Sequence, residues 1–371
     1  MDTKNDYTPK RRFPGFEGEW EQKKLGDIVE INSGKDYKHL IEGEVPVYGT
    51  GGYMLSVSEA LSYRDGIGIG RKGTIDKPYI LRAPFWTVDT LFYCVPKEKD
   101  DLQFVNAIFE RINWRSYDES TGVPSLSKVI INNIQVFSSC IDEQRTIGDF
   151  LLKVERQISL HQHKLDKLKN LKKAYLSEMF PAEGERVPKR RFPGFEDEWE
   201  QRKVSDLFNI TRGYVLAATK TEAHKSDRLP YPVYSSQTKD KGLMGFYSEY
   251  LYEDAITWTT DGANAGEVNY RKGKFYCTNV CGVLLSKEVQ ADQMIAEAIN
   301  NVAKKYVSYV GNPKLMNNVM AEIEIKIPST SQERIKISQF FSTIDTQITL
   351  QQQKLDKLND LKKAYLNELF V

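Results

Sequence analysis

Two stretches of this polypeptide occur twice, and that repetition limits what it can fold into more than any single residue does. Pro9-Lys10-Arg11-Arg12-Phe13-Pro14-Gly15-Phe16-Glu17 returns as Pro188-Lys189-Arg190-Arg191-Phe192-Pro193-Gly194-Phe195-Glu196. Lys164-Leu165-Asp166-Lys167-Leu168 returns as Lys354-Leu355-Asp356-Lys357-Leu358, and Leu171-Lys172-Lys173-Ala174-Tyr175-Leu176 as Leu361-Lys362-Lys363-Ala364-Tyr365-Leu366. Between these frames lie two segments of similar length and mostly different sequence. Such a chain offers two equivalent surfaces and, in between, two different ones.

The second frame reads as helix. Alternate steps of four and three give Ile147, Leu151, Val154, Ile158, His161, Leu165, Leu168, Lys172, Tyr175 and Met179, of which eight are apolar or aromatic. The second copy gives Ile337, Phe341, Ile344, Ile348, Gln351, Leu355, Leu358, Lys362, Tyr365 and Leu369, again with eight. No proline or glycine lies between Asp149 and Phe180 or between Gln332 and Phe370. A 3.5-residue seam with charged flanks is a coiled-coil pattern. Each helix of ~35 residues would be ~50 Å long. His161 and Gln351 share one central seam position. If the helices pair antiparallel they approach each other, and a buried polar pair fixes register; the alternative is two exposed polar residues where the helices splay.

The first frame opens on the turn signals Pro14-Gly15 and Pro193-Gly194, so neither copy starts as helix. Phe13, Phe16 and Trp20 are expected to dock on the adjoining domain. Lys10-Arg11-Arg12 reads as a solvated charge run in preference to a phosphate contact.

The 371 residues allow two or three domains. With 40% hydrophobic and 28% charged residues the composition is that of a soluble protein, and no apolar run approaches the ~20 residues a membrane helix needs. The first six residues lack the apolar core of a signal peptide. Four cysteines make no disulfide framework in a chain this long, so reduced thiols and a cytoplasmic location are expected. The net charge of +1 places any DNA-binding surface locally, or leaves a partner to supply positive field.

The unlike segments, about 29–140 and 208–328, read as mixed α/β. Short β-rich runs (Val45 to Tyr48, Gly66 to Gly70, Leu91 to Val95) alternate with glycine-rich turns, and each segment holds one clear helix, Leu102 to Phe109 and the region of Met294 to Ile299. They share a faint skeleton. Pro46-Val47-Tyr48-Gly49 answers Pro232-Val233-Tyr234-Ser235, Phe85-Trp86-Thr87-Val88-Asp89 answers Phe275-Tyr276-Cys277-Thr278-Asn279, and Gly122-Val123-Pro124-Ser125-Leu126 answers Gly311-Asn312-Pro313-Lys314-Leu315. Divergent loops on a common scaffold suit two related readers of different targets.

Glycine-punctuated α/β domain, long helix, second such domain, second long helix: this order resembles the specificity subunit of Type I restriction-modification systems over essentially the whole chain. The local matches are Gly70-Arg71-Lys72-Gly73-Thr74 with Pro84 to Thr90, then Ile256 to Gly266 and Thr278 to Leu284. The resemblance implies an α+β fold with a pseudo-twofold internal repeat: two similar α/β target-recognition domains separated by two long helices that pair as an antiparallel coiled coil. Residues 1–140 and 181–330 would be the recognition domains, 141–180 and 331–371 the conserved spacer helices. It further implies that each domain reads one half of a split, asymmetric site in double-stranded DNA. The helices would set the spacing and bind two methyltransferase subunits, to which nuclease/translocase subunits are added.

Sequence is read at base edges, whereas phosphate contacts position the protein. In the first segment the candidates are Arg71, Lys72 and Thr74 in one glycine-flanked loop and Tyr48 and Thr50 in another. In the second they are Thr260, Asp261 and Asn264, then Ser235, Ser236 and Gln237, continuing to Thr238. Asn264 or Gln237 suits adenine and Asp261 suits cytosine N4. Arg271 and Lys272 form a further basic turn, expected to face phosphate. Thr, Ser and Asp beside glycine are also plain turn formers. Phe85, Trp86, Phe275 and Tyr276 read as core, and Cys277 and Cys281 as buried thiols; no metal or cofactor is expected.

Catalysis by this chain alone is not expected. No Pro-Pro pair of an adenine-methyltransferase motif occurs, and Thr74 stands where a P-loop spaced on Gly68 and Gly73 needs lysine. The alternative from a different class is a coiled-coil adaptor without DNA sequence specificity.

Overall fold

The computed structural model describes residues 7–237 and 240–371, so the polar N-terminal hexapeptide and Thr238 lie outside the described residues. In chain order the first half contains β1 (Glu21–Lys24), α1 (Leu25–Ile28), β2 (Val29–Ser33), β3 (Glu42–Gly49), β4 (Gly52–Val57), β5 (Gly66–Gly70), β6 (Tyr79–Leu81), β7 (Trp86–Thr87), β8 (Leu91–Pro96), α2 (Leu102–Arg111), α3 (Lys128–Asn133), β9 (Gln135–Ser138) and the long α4 (Ile141–Met179). The second contains β10 (Glu200–Lys203), α5 (Val204–Leu207), β11 (Phe208–Arg212), β12 (Tyr231–Tyr234), β13 (Leu243–Tyr247), β14 (Tyr252–Thr259), β15 (Val268–Cys277), β16 (Cys281–Ser286), α6 (Gln293–Ala303), α7 (Asn317–Glu322), β17 (Glu324–Ile327) and the long α8 (Ser331–Glu368). The chain is therefore a two-domain α+β protein.

The compact units do not follow the halves of the sequence. One comprises residues 1–163 with 353–371, the other 164–352. Each holds one α/β domain, the start of one long helix and the end of the other.

In the first unit the sheet order is β2-β8-β5-β6, with a separate sheet β4-β3-β7. In the second, the matching strands merge into one sheet, β11-β16-β14-β15-β12-β13, because the ten-residue β15 spans what β6 and β7 cover separately. Burial explains why these runs are strands. β5 and β8 are buried at every position, so both faces of the central strands are covered and the sequence loses its in-out alternation. The helices α2 and α6 lie beneath, capped by Asp101 and Asp292, whose carboxylates accept from backbone N–H groups of the first turn.

The long helices are 39 and 38 residues, longer than the heptad pattern requires. Helix α4 starts before Gly148, where a Cβ would stand 2.3 Å from Asp101 Oδ1, so the glycine admits the cap of α2 against the helix. All ten seam positions of each helix are buried or half-buried, Gln351 among the buried and His161 among the half-buried.

The same contacts fasten domain to helices in each unit. In the first, Phe13 packs on Phe150, Phe150 on Tyr365, and Trp20 on Phe370. In the second, Phe192 packs on Phe340, Tyr175 on Phe340, and Phe180 on Trp199. Arg12 donates from Nε and Nη2 to Glu143, and Arg191 does the same to Glu333. Arg11 pairs with Glu368 and covers Tyr365, as Arg190 pairs with Glu178 and covers Tyr175. The arginines expected to form a solvated run are thus packing groups.

A third contact joins three elements at one ammonium. Lys172 of α4 reaches Glu297 of α6 and Asp345 of α8, both at 2.6 Å. Lys362 of α8 reaches Glu110 of α2 at 2.7 Å and Glu155 of α4 at 2.8 Å. Burial lowers the proton affinity of each lysine, but the paired carboxylates outweigh it and hold both above the ordinary lysine range. Within each unit the contacts descend along α8 as they ascend along α4.

Glu333 is fully buried and the Arg191 side chain is 11% exposed, whereas Arg190 is exposed and Glu178 half-buried. Removing one partner of a buried pair leaves an uncompensated charge. Arg191→Met is expected to cost about 3–5 kcal/mol and Arg190→Met about 1 kcal/mol or less, measured by urea unfolding of the full chain.

Candidate nucleic-acid interface

The two glycine loops have one backbone. After β5, Arg71 N donates to Thr90 O, Leu126 N donates to Arg71 O, and Gly73 N donates to Pro124 O. After β14, Thr260 N donates to Val280 O, Leu315 N to Thr260 O, and Gly262 N to Pro313 O. Lys72 forms a bridge with Ser125, and Asp261 forms one with Lys314. Gly73 and Gly262 hold φ of +85° and +95°, a conformation that favours glycine. Gly70 is needed for another reason: a Cβ there would stand 1.9 Å from the Thr74 carbonyl.

Side chains on this shared backbone differ in chemistry. Arg71 and Lys72 are exposed, with the Arg71 guanidinium 5.8 Å from the Phe92 ring centre. Among the described residues Lys72 has no ion-pair partner. At the same positions the second unit has Thr260 and Asp261. Thr260 is buried and its hydroxyl donates to Asp261 at 2.7 Å, which makes it a support for that carboxylate. Asp261 lies 3.6 Å from Lys314. Thr74 is half-buried. Asn264 donates to the Gln237 carbonyl at 3.4 Å, so these two candidates meet.

A hairpin flanks each glycine loop. In the first unit β3 and β4 are joined by Thr50-Gly51, with Gly49 paired to Gly52. Tyr48, half-buried, precedes the tip and packs on Tyr53 and Tyr79. In the second unit the hairpin is β12–β13. There Ser235 N donates to the Gly242 carbonyl and Ser235 Oγ accepts from Thr278 Oγ1. Ser236 is half-buried and Gln237 exposed.

Arg271 requires a correction. It lies inside β15, not in a turn, and is 8% exposed. Its guanidinium donates to Thr257 Oγ1 and the Lys241 carbonyl and lies 3.7 Å from the Tyr234 ring centre. Burial lowers its pKa. A side chain so enclosed cannot face phosphate. Its neighbour Lys272 is exposed.

A third loop beside each glycine loop carries no candidate from the sequence. In the first unit Asp118 organises it, accepting from Ser125 N, Ser120 N and Ser120 Oγ, which holds its carboxyl below the usual range. In the second unit Ser308 and Lys314 pair across the loop, leaving Tyr309 and Val310 exposed. The shared Pro124 and Pro313 were the available signal.

With this geometry in view, comparison with known proteins is decisive for the family. The model of the type I restriction modification DNA specificity domain matches twice, over residues 17–170 and 196–360. The chain belongs to this family. A Mycoplasma pneumoniae protein named as a putative type I specificity subunit N-terminus is 39% identical over 137 residues, which are 36% of this chain and 72% of that protein. A second, named as the specificity subunit of the type I restriction enzyme MpnII, is 33% identical over 150 residues, 39% of this chain and 44% of that protein. Beyond the first relative, the matched part spans about half the length of such proteins, 46% and 48% for the next two. The crystal structure of a type I restriction-modification S subunit from M. genitalium shares the fold, with a TM-score of 0.78 at 15% identity over 98% of this chain and 99% of that one.

Phe85, Trp86, Phe275 and Tyr276 are buried, as are Cys94, Cys277 and Cys281, whereas Cys140 is exposed. Among the described residues no group of three His, Cys, Asp or Glu side chains could hold a metal ion, and no helix is long and apolar enough to cross a membrane. Burial raises the Cys94 and Cys277 thiols and pushes Cys281 up to about 11. At pH 8, an aromatic disulfide reagent is expected to titrate one of the four thiols rapidly, and Cys140→Ser to abolish that phase; rapid reaction of two or more would contradict the packing.

Proposed function

We propose that residues 1–140 and 181–330 are two target-recognition domains, each reading one half of a split, asymmetric site in double-stranded DNA. The observation that carries this reading is the pair of glycine loops. Their hydrogen-bonded backbones match, while the exposed Arg71-Lys72 of one stands at the positions of a buried Thr260 and a half-buried Asp261 in the other, with a reversal of charge between Lys72 and Asp261. A scaffold kept and a loop chemistry changed is what two readers of different words require.

In this reading Asn264, Gln237 and Asp261 meet base edges, while Lys72 and Lys272 meet phosphate. Arg71 and Thr74 serve the first half-site with Tyr48 and Thr50, and Ser235 and Ser236 serve the second. Thr260 and Arg271 act from beneath. The chain is non-catalytic and works in the cytoplasm as one subunit of a restriction-modification complex.

Residues 141–180 and 331–371 are the spacer, pairing as an antiparallel coiled coil with His161 and Gln351 fixing register. The opposed order of contacts along α4 and α8 inside each unit supports this pairing. The repeated frames offer two equivalent surfaces for two methyltransferase subunits, and nuclease/translocase subunits join through that assembly.

Replacing residues 29–140 by those of a relative is expected to change one half of the methylated motif and leave the other intact; a change in both halves would refute two independent readers. Inserting one heptad into each long helix adds about 10 Å and keeps the seam in phase. The gap between half-sites is expected to lengthen, and an unchanged gap would show that the helices do not measure it.

A further inference from the structure

In both units one side chain from the strand beside the glycine strand reaches the backbone of the flanking hairpin. In the first, Tyr79 of β6 donates its hydroxyl to the Gly49 carbonyl at 2.6 Å, and its ring packs 6.1 Å from Tyr48. In the second, Arg271 of β15 donates from Nη2 to the Lys241 carbonyl, also at 2.6 Å, and packs on Tyr234. Tyr48 and Tyr234 are equivalent, since their carbonyls accept from Val88 N and Thr278 N.

The two donors do not occupy equal positions. Tyr79 pairs across the ladder with Gly68, whereas Arg271 pairs with Ala255, the counterpart of Gly66. The offset of two residues keeps the side chain on one face of the sheet. Different residues at different positions therefore hold the carbonyl of corresponding hairpins. Neither donor is spent elsewhere on a carboxylate: among the described residues Arg271 forms no ion pair.

A hairpin tip whose carbonyl bonds only to water has freedom that base-edge hydrogen bonds do not tolerate, because those bonds weaken steeply with angle. A fixed donor from the underlying sheet removes that freedom. We propose that Tyr79 and Arg271 are positioning residues for the two reading hairpins, each governing base discrimination at one half-site alone. The inference rests on the two-reader function.

The test is selection from randomised duplexes by the full-length chain in complex with a methyltransferase subunit that it binds. Tyr79→Phe removes one oxygen and keeps the ring. It is expected to reduce discrimination in one half of the selected motif by about two- to tenfold and leave the other half at the wild-type level. Arg271→Lys is expected to do the reverse. Thermal melts accompany each variant, and because Arg271 is buried, Tyr79→Phe decides the matter if Arg271→Lys does not fold. A folded Tyr79→Phe with an unchanged motif overturns the inference while sparing the two-reader function. Equal weakening of both halves overturns it too, as general loosening. A wild-type complex with no preferred motif overturns the two-reader function, and this inference with it.

Discussion

Each unit depends on one half-buried ammonium that gathers three elements. Lys172 and Lys362 each bring a helix of the α/β domain, a stretch of α4 and a stretch of α8 to a single point. Hydrogen bonding completes both clusters alike, with Asn106 donating to Glu110 and Gln293 donating to Glu297, each amide one helical turn before its acid. Taking a charge out of water costs several kcal/mol, which the partners return only in one geometry. Such a cluster contributes more to geometry than to stability. A sliding or rotating helix would unpair these carboxylates, one of which, Glu297, is buried, so the domain is held to its helices in one orientation.

That constraint separates two kinds of surface. The aromatic contacts, the Arg12–Glu143 and Arg191–Glu333 pairs and the lysine clusters repeat between the units almost group for group. The glycine loops repeat in backbone and not in side chain. In the second unit the two are joined: Lys241, whose carbonyl accepts from Arg271, reaches Asp345 of α8 at 3.2 Å, the same carboxylate that holds Lys172. The first unit pins its hairpin with Tyr79 and makes no matching link to Glu155 among the described residues.

Much of this fold is legible in the sequence. The seam positions of both helices, β5, β8, α2 and α6 follow from periodicity and glycine punctuation, because burial periodicity is a local property. What is hidden arises from partners distant in sequence. Lys172 and Lys362 stand out as charges on an apolar seam, yet their acids lie 125 and 252 residues away in Glu297 and Glu110. Arg271 reads as part of a basic turn because Lys272, Gly273 and Lys274 follow it; only the ladder with β14 shows that it points inward. Arg11 and Arg12 read as a solvated run for the same reason, their carboxylates being supplied by Glu368 and Glu143. Tyr79 carries no sequence signal, since a tyrosine in a short strand is ordinary.

Central to the proposed function is one scaffold, used twice, that presents two different reading surfaces. Sequencing the modified bases in DNA from cells that express this chain with a methyltransferase subunit that it binds tests it most directly. The account predicts one motif made of two unlike words separated by a constant gap of unspecified bases. A contiguous motif, or two words whose gap varies from site to site, would contradict it.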